Sequence, residues 1–199
     1  MKNIYYIPIS GRPNAGKTSI VNYLTRNSFP VGKKAGTTKR IREVPLTENL
    51  TVIDLPGFGR IFGASRKEQE LVKDSIIKFI EDNSKNFVLA IHVIDSKSLI
   101  EVSTALNRKG IIPIDIEMIN FLLEMTQSIN LDILVCLNKI DRIKKDELKE
   151  VVAFIDQYES PNVEILKISK KSPQSMKLLK GKVKEILINR FGKEFQHVI

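Results

Sequence analysis

Along the chain, short apolar runs alternate with longer stretches in which apolar residues recur every three or four positions. The runs at about 3–10, 51–54, 87–94, 132–138 and 163–168 are rich in Ile, Val and Leu, the pattern of parallel strands buried on both faces. A more polar run near 41–47 reads as an edge strand. Helical periodicity lies between them, in "TSIVNYLTR", "DIEMINFLLEMTQ" and "KDELKEVVAFIDQY". In "SRKEQELVKDSIIKFIEDN", Ser65 and Glu68 have capping-box spacing, and Leu71, Val72, Ile76, Ile77 and Ile80 share one face. The last helix, "SPQSMKLLKGKVKEILINR", has Ser172 as cap and Pro173 at its first position. This alternation predicts an α/β fold, a mainly parallel sheet covered on both faces, with ligands at the carboxyl ends of its strands. Pro8 lies inside the first run, where its missing N–H predicts a bulge or a local loss of pairing.

The turn after that strand is unusual. "GRPNAGKTS" at 11–19 fits G-x-x-x-x-G-K-[ST], a loop whose backbone N–H groups curl around a nucleotide β-phosphate. Gly11, Arg12, Pro13, Asn14, Ala15 and Gly16 form the cradle, closed by Lys17, Thr18 and Ser19. Lys17 can bridge β- and γ-phosphate oxygens, Thr18 can ligate Mg²⁺, and the helix that starts here turns its positive end toward the anion. Such a loop specifies a nucleoside triphosphate and leaves the base open.

Composition narrows the context. At 199 residues and 42% hydrophobic, residues 1–199 are expected to form one domain. The single cysteine, Cys136, sits in the apolar run "DILVCLNKI", which suits a buried small side chain and a reducing cytoplasm. The longest apolar runs, such as "FVLAIHVI", fall far short of a membrane span, so no membrane partner and no targeting segment is expected. Residues 1–42 hold nine Lys or Arg and no acid, 43–164 hold fourteen against twenty-one, and 165–199 hold nine against two. Basic ends around an acidic middle suit a protein that meets a polyanion; a solvated lysine-rich surface is the other reading.

Four later stretches follow in the order a guanine nucleotide site needs. "KKAGTTKR" carries Gly36, Thr37 and Thr38, with Thr38 the candidate second hydroxyl ligand of Mg²⁺. "VIDLPGFG" ends a strand at Asp54, placed to hold the metal through water, and continues through Leu55 and Pro56 to Gly57, whose N–H can contact the γ-phosphate. In "CLNKIDRI", the Asp141 carboxylate can accept two hydrogen bonds from the N1–H and N2–H₂ of guanine, a donor pair that adenine lacks. Asn138 would brace that loop and Lys139 lie along the base plane. Finally, in "ISKKS", Ser169 supports the Asp141 loop, and the backbone N–H of Lys170, followed by Lys171, reaches guanine O6.

Together "GRPNAGKT", "AGTT", "DLPG", "NKID" and "SKK" resemble the translation-related small GTPases of the TrmE, Era, EngA and EngB group, over roughly residues 3–190. The form "DLPGFG" and the helix "IPIDIEMINFL" resemble the EngB (YihA) subfamily most. The resemblance implies a Ras-like P-loop GTPase domain, three-layered and six-stranded, binding GTP/GDP and Mg²⁺ as a monomer. It implies a switch in assembly of the large ribosomal subunit, linked to growth, division and septation, that docks on ribosomal RNA or a precursor particle. Lys33, Lys34, Lys39, Arg40 and Arg42 lie where that group reorders with the γ-phosphate. Two departures stand out: Lys170 replaces the usual alanine of S-A-K, and segment 96–112 exceeds the bacterial pattern, suggesting an extra helical turn.

Hydrolysis needs an aligned water and positive charge on the phosphate oxygens. Many GTPases place a Gln after D-x-x-G; here the residue is Phe58, which cannot orient water, so slow turnover is expected. The catalytic candidates are Lys17, Thr38, Gly57 and Asn14. The resemblance implies that Asn14 helps hold K⁺ beside the phosphates; the alternative is an Asn that only braces its own loop. A guanine-nucleotide-dependent adaptor with negligible turnover is the competing function. His92 and His197 read as structural or incidental.

Overall fold

The computed structural model describes residues 4–31, 40–59, 63–107, 112–129, 131–157, 162–193 and 198–199, with 102–107 as backbone only. Six strands and six α-helices alternate: β1 (Tyr5–Ser10), α1 (Lys17–Thr25), β2 (Arg42–Pro45), β3 (Leu50–Asp54), α2 (Arg66–Asn83), β4 (Ala90–Asp95), α3 (Ser96–Asn107), α4 (Ile114–Met125), β5 (Ile133–Asn138), α5 (Lys145–Asp156), β6 (Val163–Lys167) and α6 (Pro173–Phe191). The sheet order is β2-β3-β1-β4-β5-β6. Every pairing is parallel except β2 with β3, so the polar run is indeed an antiparallel edge.

Each strand buries side chains on both faces because helices cover both. Ile20, Val21 and Leu24 of α1 pack with Met176, Leu179, Val183 and Leu187 of α6 on one side. Ile76 and Ile80 of α2, Leu99 of α3, Ile116 and Ile119 of α4, and Val151 and Ile155 of α5 fill the other. This is the three-layer Ras-like P-loop architecture.

Helix starts follow local chemistry. Ser65 caps α2 through the Glu68 N–H while Glu68 Oε2 accepts from Ser65 N, and Ser172 caps α6 with Pro173 behind it. By contrast, α1 has no side-chain cap; its first turn opens from Gly16, and its positive N-terminal end suits an anion. In the 96–112 segment, where only an added turn was expected, α3 is a twelve-residue helix that starts directly after Asp95. Residues 108–111 lie outside the described residues.

Pro8 acts on the ladder as its chemistry requires. Tyr6 bridges Phe87, but the next pairs are Ile9 with Ile91 and Ser10 with His92, so β4 has taken one residue more than β1. Val88 and Leu89 consequently both face the α1/α6 side, where a regular strand would alternate. The extra residue lies opposite Pro8, which has no N–H to offer there.

Candidate nucleotide-binding site

The loops leaving β1, β3, β4, β5 and β6 meet at the carboxyl edge of the sheet around a cavity of about 680 Å³. Residues 13–14 and 16–19 line one end, and Asn138, Lys139, Asp141, Lys170 and Lys171 the other. Sequence-distant stretches are thus brought to one place. Gly36, Thr37 and Thr38, with Lys33, Lys34 and Lys39, lie outside the described residues.

At the phosphate end, Lys17 is 6% exposed, and its Nζ donates to the Gly11 and Arg12 carbonyls at 2.9 and 3.0 Å. Burial pushes its pKa down to about 8, against the pull of Asp54 and Asp115. A phosphate would give this ammonium the anionic partner it lacks. Thr18 Oγ1 donates to Asp54 Oδ2 at 3.1 Å. Asp54 is fully buried at the end of β3; burial raises its pKa, opposed by Lys17, by the Thr18 hydrogen bond and by Arg42. Its Oδ1 has no hydrogen-bond partner among the described residues. A hydroxyl and a carboxylate side by side, with one orphaned oxygen, fit Mg²⁺, which takes few protein ligands and completes its shell with phosphates and water.

Backbone geometry explains the loop's composition. Gly16 has φ +110°, and a Cβ there would lie 2.2 Å from Asn138 Nδ2. Thus the glycine that lets phosphate approach also admits the guanine loop. Asn138 Nδ2 donates to the Ala15 carbonyl at 2.7 Å, and Lys139 N donates to Asn138 Oδ1 at 2.8 Å. A Cβ on Gly57 would meet Pro13 N at 2.6 Å, so the D-x-x-G turn is seated on the phosphate loop. Leu55 is buried, and its N–H donates to the Ile9 carbonyl at 3.2 Å; Pro56 is buried beside it. Asn14 adopts φ 64°, a left-handed conformation that Asn tolerates, and its exposed side-chain amide bonds to nothing among the described residues.

At the base end, Ser169 Oγ donates to Asp141 Oδ1 at 2.6 Å, and Lys171 Nζ lies 2.9 Å from Oδ2. The Ser169 and then the Lys171 hydrogen bond hold the Asp141 carboxyl below its ordinary value, fixing it as an acceptor. Lys170 is exposed on the rim.

Several partners escape a reading of motifs alone. Lys139 Nζ pairs with Asp95 Oδ2 at 2.6 Å and also donates to the Asn14 carbonyl, tying the guanine loop to the phosphate loop. Ser96 Oγ donates to the Asn138 carbonyl at 2.9 Å. The signal was present: Asp95 ends a buried strand just as Asp54 does. Arg42, grouped above with the cations of the segment expected to reorder, has its guanidinium 3.3 Å from Asp54 Oδ2. Phe58 is 3% exposed and packs in the core, its ring 5.8 Å from that of His92. His92 is structural: Nδ1 lies 2.9 Å from Ser10 Oγ, and Nε2 3.4 Å from the buried Asp115. Burial pushes the Cys136 thiol up to about 12, which leaves it inert.

Fold and site define a guanine-nucleotide P-loop protein of the Ras-like GTPase class. A family model described as "50S ribosome-binding GTPase" matches residues 6–139. The "Probable GTP-binding protein EngB" of Pyrococcus horikoshii is 36% identical over 94% of this chain and 86% of its own. That of Methanopyrus kandleri is 42% identical over 72% and 70% respectively. A crystal structure of a probable GTP-binding protein EngB superposes with TM-score 0.77 at 33% identity, covering 93% of this chain and 99% of that one. The chain belongs to the EngB family of GTP-binding proteins.

Proposed function

We propose that residues 1–199 form a single G domain, a monomeric cytoplasmic GTPase with slow intrinsic turnover, whose GTP state docks on ribosomal RNA or a large-subunit precursor. A linked role in growth, division and septation accompanies that reading. The carrying observation is that a braced guanine acceptor, Asp141, and the phosphate ammonium, Lys17, line one cavity. Support for the ribosomal partner comes from the matched family's description and from the basic ends of the chain. Among the described residues, no helix is long and apolar enough to cross a membrane.

Within the mechanism, Asp141 selects guanine and Asn138 holds its loop against Ala15. Lys17 exchanges two carbonyl partners for β- and γ-phosphate oxygens, while the N-terminal end of α1 faces the same anion. Gly57 offers its N–H to the γ-phosphate. Mg²⁺, held by Thr18, Thr38 and, through water, Asp54, would neutralise phosphate charge. Phe58 supplies no hydrogen bond to water, which accounts for slow turnover. Asn14, with its amide free at the rim, is the side chain suited to K⁺.

The test is phosphate release at equal ionic strength in K⁺ and Na⁺. K⁺ should raise turnover at least about tenfold, near 1.4 kcal/mol of barrier, and Asn14→Ala should abolish most of that rise with GDP affinity nearly intact. Equal rates would reject the ion and favour a partner-supplied group or the adaptor reading. Capture of ribosomal RNA by protein loaded with a non-hydrolysable GTP analogue, and not by the GDP form, tests the docking.

A further inference from the structure

Asp54 already has a cation. We infer that Arg42 is a tethered counter-cation that occupies the metal carboxylate when Mg²⁺ is away, and competes with Mg²⁺ for it. This rests on the metal reading of Asp54 proposed above.

Three independent contacts place the guanidinium. First, the β2–β3 register sets Arg42 directly opposite Asp54, so the two side chains leave the same face of the sheet edge. Second, Arg42 Nη1 lies 3.3 Å from Asp54 Oδ2, the oxygen that also accepts from Thr18. Third, the guanidinium carbon sits 4.4 Å from the centroid of the Phe29 ring. Phe29 is itself fixed, since its N–H donates to Asn22 Oδ1 at 3.0 Å and its carbonyl accepts from Asn22 Nδ2 at 2.8 Å. A surface arginine seeking any carboxylate would not need this scaffold.

The electrostatics then follow. A fully buried carboxylate without a close cation is strongly unfavourable. Lys17 also draws the carboxylate toward its charged form, but through space, because its Nζ donates to the Gly11 and Arg12 carbonyls. Among the described residues, Arg42 is the cation in direct contact. When Mg²⁺ arrives, guanidinium and metal repel across one carboxylate, and part of the metal's binding free energy is spent on that repulsion. Arg42 should therefore stabilise the metal-free protein and weaken its hold on Mg²⁺.

Two measurements on the whole chain decide it: calorimetric titration of Mg²⁺ into metal-stripped, GDP-loaded protein, and thermal unfolding in EDTA and in saturating Mg²⁺. Arg42→Ala should tighten Mg²⁺ about tenfold, lower the unfolding midpoint in EDTA, and recover wild-type stability in Mg²⁺. Arg42→Lys, which keeps the charge and loses the planar fork, should fall between. Unchanged or weaker Mg²⁺ binding in Arg42→Ala, or an equal loss of stability with and without metal, would overturn the inference. Asp54→Asn separates the two readings: if it leaves Mg²⁺ affinity unchanged, the metal role of Asp54 falls and this inference with it. If it weakens Mg²⁺ while Arg42→Ala changes nothing, only the inference falls.

Discussion

Replacing Lys17 with Met should leave the nucleotide-free protein about as stable at neutral pH, make that stability less dependent on pH, and ruin nucleotide binding. Lys17 is 6% exposed, and its pKa is pushed from 10.5 down to about 8. Keeping that ammonium charged at pH 7 therefore costs about 3 kcal/mol of folding free energy. Met keeps the length and apolar stem. It forfeits two charge-assisted hydrogen bonds to the Gly11 and Arg12 carbonyls, about 1.5 kcal/mol each, and the pull on Asp54, so the terms cancel to within about 1 kcal/mol. For a chain of this size that keeps the unfolding midpoint at pH 7 within about 4 °C of wild type. The sign with pH is fixed too. Between about 8 and 10.5 the unfolded chain binds the Lys17 proton and the folded one does not, so wild-type stability rises with pH through that window. Scanning calorimetry of both proteins, stripped of nucleotide, at pH 7 and pH 10 should show the variant falling behind wild type as pH rises. A Met variant less stable than wild type by more than about 1 kcal/mol at pH 7, or a pH-independent difference, would refute the argument.

Asp141→Asn should lose about 2 to 4 kcal/mol of GDP affinity, because a donor then faces the guanine donors, and it should come to favour xanthine nucleotides; competitive binding of GDP and XDP checks both. Thr18→Ala should weaken GDP binding chiefly in the presence of Mg²⁺, so titrations with Mg²⁺ and with EDTA must differ in the size of the loss. Gly16→Ala should impair nucleotide binding by displacing Asn138, whose Nδ2 lies 2.2 Å from the new Cβ; the loss should appear as a faster nucleotide off-rate in stopped flow.

What the sequence exposed, and what it hid, follows from distance along the chain. The phosphate loop was legible because its residues are contiguous and their spacing is dictated by one anion. Both helix caps at Ser65 and Ser172 were legible for the same local reason. Asp54 opposite Arg42 was not, since their pairing depends on the register of an antiparallel hairpin whose turn, where Leu46 N–H donates to the Leu50 carbonyl, carries no strong signature. Asp95 with Lys139 was hidden likewise, because the parallel neighbours that carry them are joined only by the long crossover 96–132. Segment 96–112 was underestimated: its first three turns form α3, and Leu99 supplies an apolar contact that the motif reading passed over.

The extra residue opposite Pro8 makes β4 a phase shifter. Beyond it, His92 and Ile94 fall on the side of α2 to α5, Ile91 and Val93 on the side of α1 and α6, and Asp95 arrives level with Asn138. Deleting either Val88 or Leu89 would turn every later side chain of the strand to the opposite face, carrying His92 away from Asp115 and Asp95 away from Lys139. The chain length between the phosphate loop and the guanine loop is therefore quantised at this point. Surface loops elsewhere can gain or lose single residues during divergence, whereas a one-residue gap here would have to be matched by a compensating insertion before Ala90.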